Sequence, residues 1–128
     1  RGCAARDLME ISSILDRYAS LERPIMVTAC GVPSATRRAS EGAEFAEPGY
    51  WRAPWSDQMQ SAWLANVASV VLAKPFVHGM CWADLADAPG AEPGLGLVKD
   101  TAAPKPAMER FAGIRRSLAA GQSWITTD

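Results

Sequence analysis

The sequence has 128 residues, the length of one ordinary domain, and 48% of them are hydrophobic, which is enough to fill a core. This composition excludes a disordered or collagen-like chain. Its 13 basic residues are balanced by 14 acidic ones, and the net charge is -1. No positive excess exists to neutralise a phosphate backbone, so nucleic acid is not an expected partner.

The sequence indicates no membrane segment, metal centre or redox centre. The longest nearly apolar stretch, residues 62–73, is interrupted by Asn66 and Ser69 and is too short to cross a bilayer. The first segment is amphipathic and lacks the pattern of a signal peptide, so a targeting signal is either absent or upstream. The chain has one histidine and three cysteines, and none of the cysteines forms a CxxC pair. We therefore predict no membrane partner, no metal and no cofactor.

The first predicted elements are a helix and a strand. Apolar residues recur at helical spacing over residues 7–21, and Asp7 and Glu10 have the spacing of a capping box. The following run, Ile25–Cys30, is mostly apolar and ends before a glycine and a proline. Such a run predicts a strand that is buried on both faces, as in a parallel sheet.

A second helix and strand follow. The helix is predicted to begin near Ser56 or Asp57, since Asp57 and Gln60 again have capping-box spacing, and to end at Pro75. Residues 76–82 then read as a second buried strand.

The third helix is predicted to start at Lys105 and Pro106 and to end before Gly121, leaving residues 122–128 as a tail. The order is α-β-α-β-α, and a helix that crosses between two buried strands favours a right-handed parallel βαβ unit. Two strands make no stable sheet core alone, so the fold class is α/β and the sheet is expected to be part of a larger one.

The two strand-to-helix loops, residues 33–55 and 83–104, are the long ones. In barrels and open α/β sheets, ligands bind on these loops, beyond the carboxyl ends of the strands. Aromatic rings and carboxylates together suit a sugar, because rings offer an apolar face and carboxylates accept hydrogen bonds from hydroxyls. The candidate residues in and beside these loops are Tyr50, Trp51, Trp55, Trp82, Asp84 and Asp87. In the alternative interpretation, the rings anchor a long loop and the carboxylates make turn hydrogen bonds.

Several segments carry a family resemblance: RPIMVTACGVPS at 23–34, WSDQMQ at 55–60, KPFVHGMCWAD at 74–84, and GLV and PKPA at 96–98 and 104–107. Together they resemble the C-terminal third of a (β/α)8-barrel glycoside hydrolase, in particular family 10 and its xylanase-like relatives. The resemblance covers nearly the whole chain. It implies that residues 1–128 are the C-terminal portion of a TIM barrel, with strands seven and eight, and that their partner is the N-terminal part of that barrel.

The resemblance also implies a reaction, the hydrolysis of a β-linked polysaccharide such as xylan with retention, using two carboxylates roughly 5 Å apart. In the family, the nucleophile is a glutamate that follows a threonine at the end of strand seven, and the acid/base lies on strand four. Here Thr28 is followed by Ala29, whose methyl group cannot act as a nucleophile. The parent protein is thus a carbohydrate-binding relative without hydrolysis, an enzyme that takes its carboxylate from elsewhere, or an ordinary enzyme with a local substitution. For the second of these alternatives, the carboxylates of the adjacent loop, Glu41, Glu44 and Glu47, are the candidates to replace the missing nucleophile.

The resemblance further implies roles for the side chains near the second strand. Trp82 is expected to form part of the sugar-binding floor, and Asp84 and Asp87 to contact sugar hydroxyls. By strict alternation, His78 shares the face of Trp82 and points into the barrel. Cys30 and Cys81 are then expected to face the helices as buried free thiols rather than as a disulfide. A polysaccharide substrate also implies that the parent protein is exported.

Overall fold

The computed structural model describes residues 7–35, 50, 53–90 and 94–122 of the chain. The elements follow the predicted order α-β-α-β-α: α1 (Leu8–Ala19), β1 (Ile25–Cys30), α2 (Asp57–Leu72), β2 (Val77–Trp82) and α3 (Pro106–Ala119). The predicted tail lies almost entirely outside the described residues. No helix within the described ranges is long and apolar enough to cross a membrane.

β1 and β2 pair in parallel, and α2 connects them, so the predicted parallel βαβ unit is confirmed. One face of this two-stranded sheet packs against helices through alternate residues such as Ile25 and Val27. Met26 and Thr28, on the other face of β1, are exposed within the described part of the chain. The predicted burial on both faces depends on a larger sheet, and the described residues of this chain cover only the helix-facing side.

A bulge in β2 explains a second difference from the predictions. Ile25 pairs with Val77 but Met26 pairs with Gly79, so His78 is an extra residue in β2. Beyond this bulge, Trp82 packs against the core, whereas His78 is exposed. The predicted common face for His78 and Trp82 is wrong, because a bulge breaks the alternation on which the prediction depends.

The thiols are also arranged differently from the prediction. Both Cys30 and Cys81 are free, but Cys30 is half-buried and packed against the core, while Cys81 is exposed. The expectation that both thiols are buried on the helix side is wrong for Cys81, which lies beyond the bulge.

The central element of the fold is α2, which packs against α1, α3 and β2. Its sequence is apolar around most of its circumference, as is typical of a helix with neighbours on several sides. The larger core cluster lies between α2, α1 and the sheet, and the smaller one joins α2 to α3 through Leu64, Leu97 and Ala107.

The helix ends show which capping predictions hold. Asp7 caps α1, its Oδ1 accepting hydrogen bonds from the backbone N–H groups of Met9 and Glu10 at 2.8 and 3.0 Å, as predicted. The cap of α2 is Ser56, whose Oγ accepts from the N–H of Met59 at 3.2 Å. The predicted capping box of Asp57 and Gln60 is wrong, because the Gln60 side chain is fully buried and bonds to two loops instead.

Candidate functional site

The candidate site lies at the carboxyl ends of β1 and β2, beside the first turns of α2 and α3. The described residues of the predicted loop 83–104 make several backbone hydrogen bonds there. Residues 94–97, which we call the return segment, run back over this edge of the sheet. Leu97 donates a backbone hydrogen bond to Leu85 O at 3.0 Å, and Lys105 donates one to Leu97 O at 3.0 Å. These bonds hold the loop between β2 and α3.

The return segment passes very close to the chain that follows β2, and this contact requires a glycine. A Cβ atom on Gly96 would lie 2.5 Å from the backbone of Ala86 and Asp87, a distance that real Cβ atoms do not adopt. The N–H of Gly96 instead donates to Asp87 Oδ1 at 2.8 Å. On its other side, the segment accepts the backbone N–H of Ser34 at Gly94 O, at 3.0 Å. The loops after β1 and β2 are therefore bonded to each other.

A buried ion pair fixes the same edge to α3. The side chain of Lys105 is only 1% exposed, and its Nζ lies 2.7 Å from Asp87 Oδ2. It also donates a hydrogen bond to Ser34 Oγ at 3.0 Å. Both oxygens of the Asp87 carboxylate are thus engaged within the chain, one by Lys105 and one by Gly96. Asp87 therefore connects the chain after β2 to the return segment and to the start of α3. A sugar hydroxyl that bonded to Asp87 would have to share a carboxylate oxygen with Lys105 or Gly96.

A cavity of about 250 Å³ opens beside this ion pair. It is too small for a drug-sized ligand and suits a single small ring. A second ion pair borders it, with Lys99 Nζ 3.7 Å from Asp57 Oδ2. The charged and hydroxyl side chains that line the cavity are Ser34, Asp57, Asp87, Lys99, Asp100 and Lys105. Because three carboxylates face two ammonium groups, the lining has a formal excess of one negative charge.

Trp82, the last residue of β2, is half-buried. Its indole N–H donates to Leu95 O in the return segment at 2.8 Å. Its ring meets the buried ring of Trp63 edge to face, with centroids 6.1 Å apart and planes at 70°. The orientation of Trp82 is therefore determined by a hydrogen bond at one end and an aromatic contact with α2.

Tyr50 and Trp55 lie together, and the larger core cluster that contains Trp55 also packs against Trp82. Their rings stack at 6.2 Å with an interplanar angle of 13°, and Asn66 of α2 donates to the Tyr50 hydroxyl at 2.9 Å. Trp55 is 5% exposed and belongs to the larger core cluster. This is the arrangement that the loop-anchoring alternative describes. Trp51 lies outside the described residues.

The remaining predicted positions differ in their surroundings. Ala29, the penultimate residue of β1, is exposed, and so is Asp84, two residues beyond β2. The acidic loop residues Glu41, Glu44 and Glu47 lie outside the described residues. The part of the chain that the structure describes contains no group of three or more potential metal ligands.

Burial affects the chemistry of Cys30. It raises the pKa of this thiol to about 11, and the neighbouring Cys81 thiol adds to the rise. Because the folded protein retains this proton to higher pH, the resulting stabilisation is present below pH 9.0 and is lost as the pH rises towards 11.

At pH 8, we expect iodoacetamide to modify Cys30 about 100-fold more slowly in the folded protein than in urea, because only the thiolate reacts. Mass spectrometry of the Cys30 peptide measures both rates, and equal rates would contradict the expectation.

Sequence reasoning missed Gln60, Ser34 and Lys105, the residues that bond the loops together. The sequence pattern predicts a helix-capping role for Gln60 and places Lys105 only at a helix start within the PKPA segment. A signal was present for Lys105, because a cation at a helix N-terminus is unfavourable unless a nearby anion compensates it. Nothing in the sequence identifies Asp87 as that anion.

Glycoside hydrolases are among the solved structures similar to this fold. A β-glucuronidase from Faecalibacterium prausnitzii is 20% identical with a TM-score of 0.60, and the match covers 86% of this chain and 19% of that one. A GH2 β-galacturonidase from Eisenbergiella tayi is 18% identical with a TM-score of 0.61, and the match covers 92% of this chain and 22% of that one. Xylanase 10B from Thermotoga petrophila, in complex with xylobiose, is 17% identical with a TM-score of 0.59, and the match covers 88% of this chain and 32% of that one. No protein-family model and no curated protein sequence matches the chain.

These likenesses confirm the predicted fold class, α/β with the architecture of TIM-barrel glycoside hydrolases over most of the chain. The chain spans between about a fifth and a third of the length of these proteins. Both GH2 enzymes and xylanases are among them, so the likeness supports the glycoside hydrolase fold in general rather than family 10 in particular.

Proposed function

We propose that this chain forms the C-terminal portion of a glycoside hydrolase-type barrel that binds a β-linked oligosaccharide above the carboxyl ends of β1 and β2. The observation that carries the proposal is the grouping of Trp82, Asp84 and the small polar cavity at this one edge of the sheet. In barrels, ligands bind at that edge. Structural neighbours bound to xylobiose, a glucuronide and galacturonate support a carbohydrate as the ligand class.

The charge of the cavity favours a neutral sugar, such as a xylose unit, over a uronic acid. Lys105 and Lys99 are each paired with an aspartate, and Asp100 adds a further negative charge to the lining. A uronate carboxylate would meet no uncommitted cation among these residues and would be repelled by Asp100.

Position 29 argues that binding, rather than hydrolysis, is the function of this edge. Ala29 stands where the resembled family has its nucleophile, and its side chain can neither attack an anomeric carbon nor stabilise positive charge there. The alternative is a retaining, xylanase-like hydrolase that takes a carboxylate from another position. The exposed carboxylate of Asp84, beyond β2, is the observation that favours it.

Calorimetric titration of the full protein with xylobiose tests the proposal. We expect binding, and a loss of about two- to tenfold in affinity for Trp82→Ala, because stacking on an aromatic face contributes roughly 0.5–1.5 kcal/mol. Tyr18→Ala is the matched control, since Tyr18 is an exposed aromatic residue on α1, away from this edge. Glucuronic acid should bind more weakly than xylobiose. Absence of xylobiose binding, or equal losses for the two variants, would contradict the proposal.

A further inference from the structure

Gln60 lies inside the fold, in the first turn of α2, where it reaches both loops of the candidate edge. Its side chain is fully buried. Its Nε2 donates to Val32 O, after β1, at 3.0 Å, and to Gly96 O, in the return segment, at 3.3 Å. One amide group therefore bonds to the loop of each strand.

The same amide shares an acceptor with Trp82. Gln60 Nε2 lies 3.4 Å from Leu95 O, and Trp82 Nε1 donates to that oxygen at 2.8 Å. Leu95 O is thus held from α2 and from the end of β2 at once. Since the indole N–H and the Trp63 contact fix the ring of Trp82, a displacement of Leu95 would release one of the two restraints on its orientation.

The carbonyl oxygen of the Gln60 amide shows that few side chains would suit this position. Gln60 Oε1 is buried without a hydrogen-bond partner, a condition that folded proteins seldom tolerate. If the side-chain amide were rotated by 180°, Oε1 would face the three backbone carbonyl oxygens. None of these oxygens can donate a hydrogen bond, so all of them would lose their donor. The amide group of Gln60 supplies donors to these oxygens, whereas a carboxylate of the same length would be repelled by them.

We propose that Gln60 is a positioning residue for Trp82, acting through Leu95 O and coupling the loop after β1 to the orientation of the indole ring. The effect of Gln60 on sugar affinity rests on the proposed function. The restraint on Trp82 itself is a property of the free protein and can be measured without a ligand.

The test uses Gln60→Met, which keeps the length of the side chain but removes both donors. Its matched control is Gln58→Met, an equivalent change at an exposed position in the same helix turn. In the full protein carrying isotope-labelled tryptophan, the Trp82 indole resonance is assigned by its loss in Trp82→Phe. We expect its N–H to exchange with solvent about tenfold faster in folded Gln60→Met and at the natural rate in Gln58→Met. A purely structural role would lower the melting temperature and speed the exchange of all protected tryptophan indoles together, whereas a positioning role speeds that of Trp82 selectively.

Xylobiose affinity forms the second arm and is expected to fall about tenfold in Gln60→Met, because the ring must then be ordered upon binding. An unchanged indole exchange rate overturns the inference, whatever the affinity does. A faster exchange with unchanged affinity upholds the positioning of Trp82 and removes Trp82 from the sugar site, which contradicts the proposed function instead.

If Gln60→Met does not fold, the reciprocal variant decides. In Trp82→Phe, Leu95 O loses its indole donor, and the side-chain amide protons of Gln60 should exchange about tenfold faster than in the natural protein. Unchanged exchange of these protons would overturn the inference.

Discussion

Substitution of Lys105 by methionine is expected to lower the free energy of unfolding by about 3–5 kcal/mol. The side chain of Lys105 is 1% exposed and that of Asp87 15%, so removal of the cation leaves a carboxylate poorly solvated and without its counter-ion. Ser34 Oγ loses a donor at the same time. Urea unfolding of the full protein, followed by tryptophan fluorescence, measures the change.

Two further variants make this expectation specific. Lys99→Met breaks the ion pair to Asp57 at 3.7 Å, but Lys99 is 51% exposed, and the expected loss is below about 1 kcal/mol. The double variant Lys105→Met with Asp87→Asn should recover part of the loss, since it removes the isolated charge while Oδ1 still accepts from Gly96. Equal effects of Lys105→Met and Lys99→Met would show that the buried pair has no special importance.

Ala29→Glu is expected to give the full protein hydrolytic activity on aryl β-xylosides at least about a thousandfold above that of the natural form. Position 29 is exposed at the carboxyl end of β1, so a glutamate there places its charge in solvent rather than in the core. A carboxylate at this position can attack the anomeric carbon or stabilise the developing oxocarbenium ion. Product release in a spectrophotometric assay measures the gain.

Ala29→Gln is the matched control, because it has nearly the same shape and no nucleophilic carboxylate. It should remain as inactive as the natural form. If the natural form hydrolyses the substrate and Ala29→Glu adds nothing, a carboxylate other than residue 29 performs the reaction. The retaining hydrolase would then replace the binding protein as the account of this chain, with Asp84 as the first residue to test.

The elements of the fold were predictable because their signals are local. The apolar run at Ile25–Cys30, the cap at Asp7 and the proline at the start of α3 each depend on neighbouring residues alone. The predicted order α-β-α-β-α therefore agrees with the structure. The bulge at His78 was not predictable, because it arises from the pairing of β2 with β1. One extra residue was enough to change which side chains share a face.

The sequence indicates the edge of the sheet at which the candidate residues lie, but not how these residues are bonded to one another. Long strand-to-helix loops indicate the carboxyl edge of the sheet, and Trp82 and Asp87 do lie there. The pairing of Asp87 with Lys105, 18 positions later, and the bond from Gln60 to Val32 O, 28 positions earlier, are tertiary contacts. Periodicity carries no information about such contacts.

If a β-linked sugar binds above the carboxyl ends of β1 and β2, a crystal structure of the full protein soaked with xylobiose will show it there. We expect a sugar ring within about 4 Å of the Trp82 indole, with a hydroxyl group hydrogen-bonded to the Asp84 carboxylate. Xylobiose bound only at another surface, with no sugar atom in contact with Trp82 or Asp84, would contradict this expectation.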